Sequence, residues 1–323
     1  MKDAFGRSIE YLRISVTDRC NFRCLYCMPL EGLQWLPRGE ILSYEEIAEV
    51  VRQLAPLGLR RLRLTGGEPT IRPALHKLVA LLRAIPGIDD IALSTNGSRF
   101  PELAPELKAA GLDRVNVSVD SLRPGRVRDI ARRTVTTPPM DALRAATRAG
   151  LAPVKVNVVV MRGINDDEIV DFARLTQEHE WHVRFIELMP VGDMRGATWE
   201  HVVPSDEILN RLSALGPMTP CDGPARGNGP AVYHRYAGAP GTVGVITPMT
   251  HTYCASCNRV RLTADGRLRT CLFGDAEVNL RDALRAGEPL EPLFGRALEE
   301  KPKEHALLQM QVGGLRALSQ VGG

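Results

Sequence analysis

What this 323-residue chain lacks narrows its reading first. Its formal net charge is only +3, too little for the broad basic surface with which proteins bind nucleic acid or anionic membranes. The opening Met1-Lys2-Asp3-Ala4-Phe5-Gly6-Arg7-Ser8 has no apolar core of the kind a secretory signal needs, and no later stretch approaches the length of a membrane helix. A cytoplasmic protein with neither nucleic acid nor membrane as partner is expected. No internal repeat is evident beyond an alternation of strand and helix patterns. With 44% apolar residues the chain is a folded one, and its length suits a domain of about 200 residues plus a smaller one.

A fourth ligand is also missing where three cysteines gather. Cys20, Cys24 and Cys27 stand at the spacing C-x3-C-x2-C, yet the first histidine is His76 and no further cysteine comes before Cys221. Structural zinc takes four ligands, so a zinc knuckle is one short here, and a disulfide would leave one thiol over. Three thiolates on one loop can instead hold a [4Fe-4S] cube whose remaining iron is open to a small molecule. The open iron accounts best for the spacing, with zinc or inert thiols as the alternatives.

Short β-branched runs alternate with amphipathic helical patterns near every 30 residues, the signature of successive βαβ units. Strands are expected at 12–16, 61–64, 91–94, 114–119, 154–160 and 183–187. Ser43 with Glu46 reads as a capping box, Gly111 and Gly150 as helix stops, and Asn165 as a cap. Six parallel strands with crossovers would curl into a barrel or partial barrel. One face of these strands is polar: Arg13 with Ser15, Arg61 with Arg63, Asn116 with Ser118 and Asp120, Lys155 with Asn157. Cations in a lumen are costly without an anionic ligand, although some could pair among themselves or reach solvent. Thr65-Gly66-Gly67-Glu68-Pro69 forms a turn at a strand's carboxyl end, where parallel α/β folds bind ligands.

Composition changes after about Leu215, and 216–230 is rich in Gly and Pro and reads as a linker or loop that leaves Cys221 a spectator thiol. Strand candidates follow at 232–236 and 243–246, then a hairpin over 259–272 turning at Asp265-Gly266. Cys254, Cys257 and Cys271 make a second set, C-x2-C-x13-C. His251 stands three positions before Cys254, so a closed Cys3His zinc site and an auxiliary iron-sulfur cluster are both chemically sensible. Arg259 and Arg261 put two guanidinium groups beside this metal, suited to an anionic or heteroaromatic ligand.

The first cysteine loop, with Tyr26 just before its last cysteine, resembles the radical S-adenosylmethionine (SAM) superfamily. There the open iron chelates the methionine amino and carboxylate groups of SAM, and an electron from the reduced cluster cleaves the sulfonium bond to give a 5′-deoxyadenosyl radical. The chain as a whole resembles one family within it, the molybdenum cofactor biosynthesis protein A family of radical SAM GTP 3′,8-cyclases. The likeness spans nearly the full length: the cysteine loop, Gly66-Gly67-Glu68-Pro69, Ser94-Thr95-Asn96-Gly97, Val115-Asn116-Val117-Ser118-Val119-Asp120, Val154-Lys155-Val156-Asn157, Arg184-Phe185-Ile186-Glu187, the second cysteine set and Gly322-Gly323.

The resemblance implies an α/β fold, an incomplete (β/α)6 TIM-like barrel over 1–215 with a C-terminal cluster-binding domain over 216–323. It implies two [4Fe-4S] clusters, one on Cys20, Cys24 and Cys27 and one on Cys254, Cys257 and Cys271. SAM contacts fall at Tyr26, Gly67, Ser118 and Met189, the last of which reads equally as core packing. GTP contacts fall at Arg13, Arg63, Ser94, Lys155, Arg259, Val260 and Arg261. The implied reaction removes the 3′ hydrogen of GTP and joins C3′ to C8 of guanine. Implied partners are a reductant protein such as flavodoxin or ferredoxin, the next pathway enzyme (cyclic pyranopterin monophosphate synthase), and a second copy of the chain in a homodimer. Two departures stand out: Ser94 replaces the family's frequent Thr, and Gly313-Gly314 precedes Gly322-Gly323, so either pair is a candidate to enter the site.

Overall fold

The computed structural model describes residues 1–189, 198–224, 229–305 and 316–322. The six expected strands form and lie side by side in chain order, all parallel: β1 (Tyr11–Ser15), β2 (Arg61–Thr65), β3 (Asp90–Thr95), β4 (Arg114–Ser118), β5 (Val154–Val160) and β6 (Trp181–Glu187). Their outward side chains, such as Leu12, Ile14, Leu62 and Leu64, share one buried core with the helices that connect them. Helix Tyr44–Leu54 contributes Ile47, Val50, Val51 and Leu54 to it. Burying each such side chain stabilises the fold by about 1.5–3 kcal/mol.

Local signals explain where the helices begin and end. The Ser43 hydroxyl accepts from the Glu46 N–H at 3.1 Å and the Glu46 carboxylate accepts from the Ser43 N–H at 2.7 Å, the reciprocal box the sequence suggested. Gly111 and Gly150 follow helices Phe100–Ala109 and Pro139–Arg148 with φ of +104° and +66°, which suit glycine. Asn165 corrects its expectation. Its side chain caps no helix; the amide donates to the Asp120 and Val159 carbonyls at 2.7 and 2.9 Å, and its oxygen accepts from the Met161 N–H at 2.7 Å. A short polar side chain can serve neighbouring backbone in this way as readily as a helix end.

The C-terminal third lengthens the same sheet at both edges. It supplies β7 (Met218–Cys221), β8 (Val232–Tyr236), β9 (Thr242–Ile246), β10 (Arg259–Leu262), β11 (Arg267–Arg269) and β12 (Glu277–Asn279), giving the order β12-β11-β10-β1-β2-β3-β4-β5-β6-β9-β8-β7. Strand β9 pairs parallel with β6, and β10 pairs parallel with β1, so the six-stranded array gains a parallel neighbour on each side. The β10–β11 turn falls at Asp265-Gly266 as expected, with Gly266 at φ +77°. The 216–230 loop reading is corrected at Cys221, which lies on edge strand β7 opposite Tyr233. An edge strand tolerates Pro220 and a Gly/Pro-rich surround because one side needs no ladder bond.

At the strands' amino ends Arg114 is fully buried and donates to both Asp90 oxygens, Nε to Oδ1 at 2.8 Å. Asp90→Ala would leave that guanidinium without its countercharge. A destabilisation of about 3–5 kcal/mol is expected, read as a lowered midpoint in urea or thermal unfolding, whereas a double Asp90→Ala/Arg114→Met variant should recover much of it.

Candidate active site

Side chains on the inner face alternate with the core, and the register brings their polar members to one level. Arg13 stands opposite Arg63 on one side and Arg261 on the other; Asn116 pairs with Ser94 and Lys155, and Asn157 with Arg184. They surround a cavity of about 260 Å³ whose wall includes Arg13, Arg63, Arg184, Arg259 and Arg261. Lys155 is buried and lies deeper, off the cavity wall itself. Val260 turns its side chain the other way into the core, so any binding role at that position falls to its main chain.

These cations strain one another. Burial, followed by the charges of Arg184, Arg114 and Arg63, drives Lys155 down to about 5. Burial together with neighbouring guanidiniums also lowers Arg63 and Arg261, each to about 10, and Arg13 further. Neutral partners steady some of them: Arg63 donates to the hydroxyls of Tyr11 and Ser94, the latter at 3.1 Å. Among the described residues, Arg184 Nε and Asn116 Oδ1 are buried without a partner, as expected of groups meant for a ligand.

The chain's end reaches this cavity. Arg13 donates from Nε and Nη2 to the Gly322 carbonyl at 3.0 and 2.7 Å, and Arg261 donates to the same oxygen at 3.0 Å. A Cβ on Gly322 would stand 2.7 Å from Thr65 Cγ2, so the close fit and its φ of +76° both call for glycine. Gly313, Gly314 and Gly323 lie outside the described residues.

At the strands' carboxyl ends Cys20, Cys24 and Cys27 line the same cavity. Burial first, then the neighbouring thiolates and carboxylates, pushes Cys24 well above the usual thiol value; Cys20 is raised to about 11 and Cys27 to about 12. The loop is pinned from two sides. Arg23 and Leu25 donate their N–H groups to Ala131 and Ile130 at 2.8 and 3.1 Å, while Gly67 and Glu68 donate to Thr17 and Arg19 at 2.8 Å each. The Gly-Gly turn is required by that approach, since a Cβ on Gly67 would stand 2.0 Å from the Arg19 carbonyl oxygen. Glu68, buried behind it, accepts from Thr95 Oγ1 and the Asn96 N–H at 2.7 Å each. Tyr26 donates to Asp120 Oδ2 at 2.7 Å, and Asp120 Oδ1 accepts from the Val159 N–H at 2.9 Å. Burial raises Asp120 to about 6. Ser118 and Met189 also line the cavity.

The second set comprises Cys254 and Cys257, joined by a single turn in which the Cys257 N–H donates to the Cys254 carbonyl at 3.1 Å, and Cys271 just beyond β11. His251 is mostly exposed and faces Asp206 at 3.7 Å. It does not complete a Cys3His set here. Burial works against the Cys257 thiolate, but Arg259 and Lys301 outweigh it and pull the thiol down to about 7. Met249, Phe273 and Leu318 form an apolar patch that touches Tyr26, Cys27 and Met189 on one side and Cys271 and Leu272 on the other. One set of three thiols thus lines the basic cavity, and the second set adjoins it through Tyr253, Arg259 and Leu272, which do line it; three thiols apiece is a donor chemistry that suits cubane clusters with one iron left for a ligand.

A family model described as the Radical SAM superfamily matches residues 14–176, and one described as Molybdenum Cofactor Synthesis C matches 181–307. Over the whole of both chains the protein is 50% identical to "GTP 3′,8-cyclase" of Moorella thermoacetica and 49% identical to that of Pelotomaculum thermopropionicum. The chain belongs to the GTP 3′,8-cyclase family. Membership brings SAM and [4Fe-4S] chemistry with it. In fold, this cyclase-family chain is similar to Streptococcus suis SuiB bound to S-adenosylmethionine, at TM-score 0.60 and 13% identity over 95% of this chain and 73% of that one. It is likewise similar to anSMEcpe with bound AdoMet and a peptide, at TM-score 0.57 and 15% identity over 97% and 88%. No helix among the described residues is long and apolar enough to cross a membrane.

Arg184, Glu68, Glu187 and Tyr11 are among the cavity groups to which the sequence reading gave no role. Arg184 could have been found, because it keeps phase with Lys155 and Asn157 on the next strand. Gly67→Ala should displace the Arg19 carbonyl and with it Cys20. Iron bound after anaerobic reconstitution is expected to fall by about half, the loss confined to the N-terminal site, with the C-terminal site unaffected.

Proposed function

We propose that this chain closes GTP on itself, joining C3′ of the ribose to C8 of guanine to give 3′,8-cyclo-7,8-dihydro-GTP. One observation carries the reading: a single cavity has three thiols at one end and five arginines, Arg13, Arg63, Arg184, Arg259 and Arg261, along its wall. Polyphosphate is the ligand class that relieves such a lumen. Cys20, Cys24 and Cys27 would hold one cluster and Cys254, Cys257 and Cys271 the other. When bound, the N-terminal cluster and SAM supply a 5′-deoxyadenosyl radical able to take the 3′ hydrogen.

The chain's own groups would do the rest. Tyr26, tethered to Asp120, and Gly67, Ser118 and Met189 would hold SAM against the cysteine loop. Arg13, Arg63, Lys155 and Arg261 would neutralise the triphosphate, with Ser94 fixing Arg63. Arg259, beside Cys257, would orient the guanine end toward the second cluster. The apolar patch of Met249, Phe273 and Leu318 would keep water from a carbon radical. The same reading calls for a protein that delivers single electrons and an enzyme that consumes the cyclised nucleotide. It divides the labour between residues 1–215, which would generate the radical, and 216–323, which would bring the second cluster and the tail.

The test is iron, sulfide and zinc per chain after anaerobic reconstitution, followed by turnover of GTP with SAM and dithionite. About eight iron with equal sulfide, and a cyclised nucleotide formed with 5′-deoxyadenosine, are expected. About four iron plus one zinc would make the C-terminal site structural and overturn the division. Cys24→Ala should abolish 5′-deoxyadenosine formation.

Lys155 gives a pH signature. Held at about 5, it is neutral at pH 7 in the free protein, and a triphosphate beside it favours the ammonium. Binding should therefore take up about one proton more in the native protein than in Lys155→Met, and the native affinity should tighten as pH falls from 8 toward 6. Calorimetry of GTP binding in buffers of different ionisation enthalpy reads this directly.

A further inference from the structure

The C-terminal cysteine site contains a buried ammonium that none of the roles above employs. Lys301 is 3% exposed. Its Nζ donates to the carbonyls of Thr270 and Arg259 at 2.5 and 3.1 Å and lies 3.7 Å from Cys257 Sγ. Thr270 directly precedes Cys271, and Arg259 follows Cys257 by two positions, so the ammonium is fastened between the two segments that carry these cysteines, just before β10 and just after β11. Its segment is clamped in turn. Arg7 donates to the carbonyls of Cys254 and Lys303 at 2.8 and 3.0 Å and to that of Pro302 at 2.7 Å, while its Nε pairs with Asp3 at 2.5 Å.

A buried ammonium needs a countercharge. Among the described residues Lys301 makes no ion pair with a carboxylate, and the group it touches that can carry a negative charge is the Cys257 sulfur at 3.7 Å. Two carbonyls take two of its three N–H groups but bring no charge. The site is therefore complete only when anionic sulfur is present.

We propose that Lys301 is the positioning residue that sets the charge balance of the C-terminal iron-sulfur site, donating an N–H to the Cys257 sulfur and stabilising the reduced cluster. This rests on reading Cys254, Cys257 and Cys271 as cluster ligands. Reduction adds one electron and one negative charge to a [4Fe-4S] centre, and nearby charge and hydrogen bonds to the sulfurs set how readily it does so. A fixed ammonium and an N–H···S contact both favour the reduced form.

The test is voltammetry of the full chain after anaerobic reconstitution, in a Cys20→Ala/Cys24→Ala/Cys27→Ala background that leaves only the C-terminal cluster. Lys301→Met and Lys301→Gln should shift the midpoint to more negative potential by about tenfold in the one-electron equilibrium, about 59 mV, while Lys301→Arg stays near the parent. In the reciprocal background lacking Cys254, Cys257 and Cys271, Lys301→Met should leave the N-terminal cluster unmoved. An unmoved C-terminal midpoint with about four iron retained would overturn the proposal alone. So would folded Met and Gln variants that both lose their iron, since the lysine would then be merely structural. A parent background that binds no iron would refute the cluster reading itself, and the proposal with it.

Discussion

Repulsion among buried cations is the constraint on which this structure turns. Arg13, Arg63, Arg184 and Arg261 come from four different strands, and the parallel register directs them all inward, where Lys155 sheds its proton beside them. Nothing local to any one strand requires this. Burial and mutual charge depress them together, and the neutral partners that steady them, Tyr11, Ser94, Asn157 and the Gly322 carbonyl, hold geometry without cancelling charge. An arrangement of this kind is stable enough to fold because the surrounding core is large, and it is selective because an anion with several negative charges relieves it best.

A second constraint makes the first one useful. The cysteine loop must stand at a fixed height over the cations, and buried carboxylates at the strands' carboxyl ends provide the fastening. Glu68 ties the Gly66-Gly67 turn to Thr95 and Asn96; Asp120 ties Tyr26 to Val159; Glu187 accepts the N–H groups of Ser205, Met249 and Thr250 at 2.8 to 3.0 Å. Each carboxylate bridges loops far apart in sequence and is satisfied by backbone or hydroxyl donors, so it contributes rigidity without neutralising the arginines nearby.

The sequence disclosed the parts with local signatures. Strand alternation exposed the polar face, the capping box fixed a helix start, and cysteine spacing picked out two sets of three thiols. What stayed hidden was non-local. Pairing of β10 with β1 and of β9 with β6 joins segments more than fifty residues apart and follows no periodicity. Lys301 looks like any charged residue after a helix, and its burial against Cys257 is set wholly by the packing of segments distant in the chain. Asn165 misled for a related reason, because its helix-start pattern was real but its side chain had stronger claims from two loops.

The two cysteine sites differ in a way that suits a division of work. Around the N-terminal set, burial and the carboxylates of Asp120 and Glu68 oppose thiolate charge; in the second set burial likewise raises Cys254, and only at Cys257 do the cations of Arg259 and Lys301 overcome it. The same fields act on any cluster held there. The apolar patch of Met249, Phe273 and Leu318 packs against Cys27 of one set and Cys271 of the other, so the ground between the two is partly hydrocarbon.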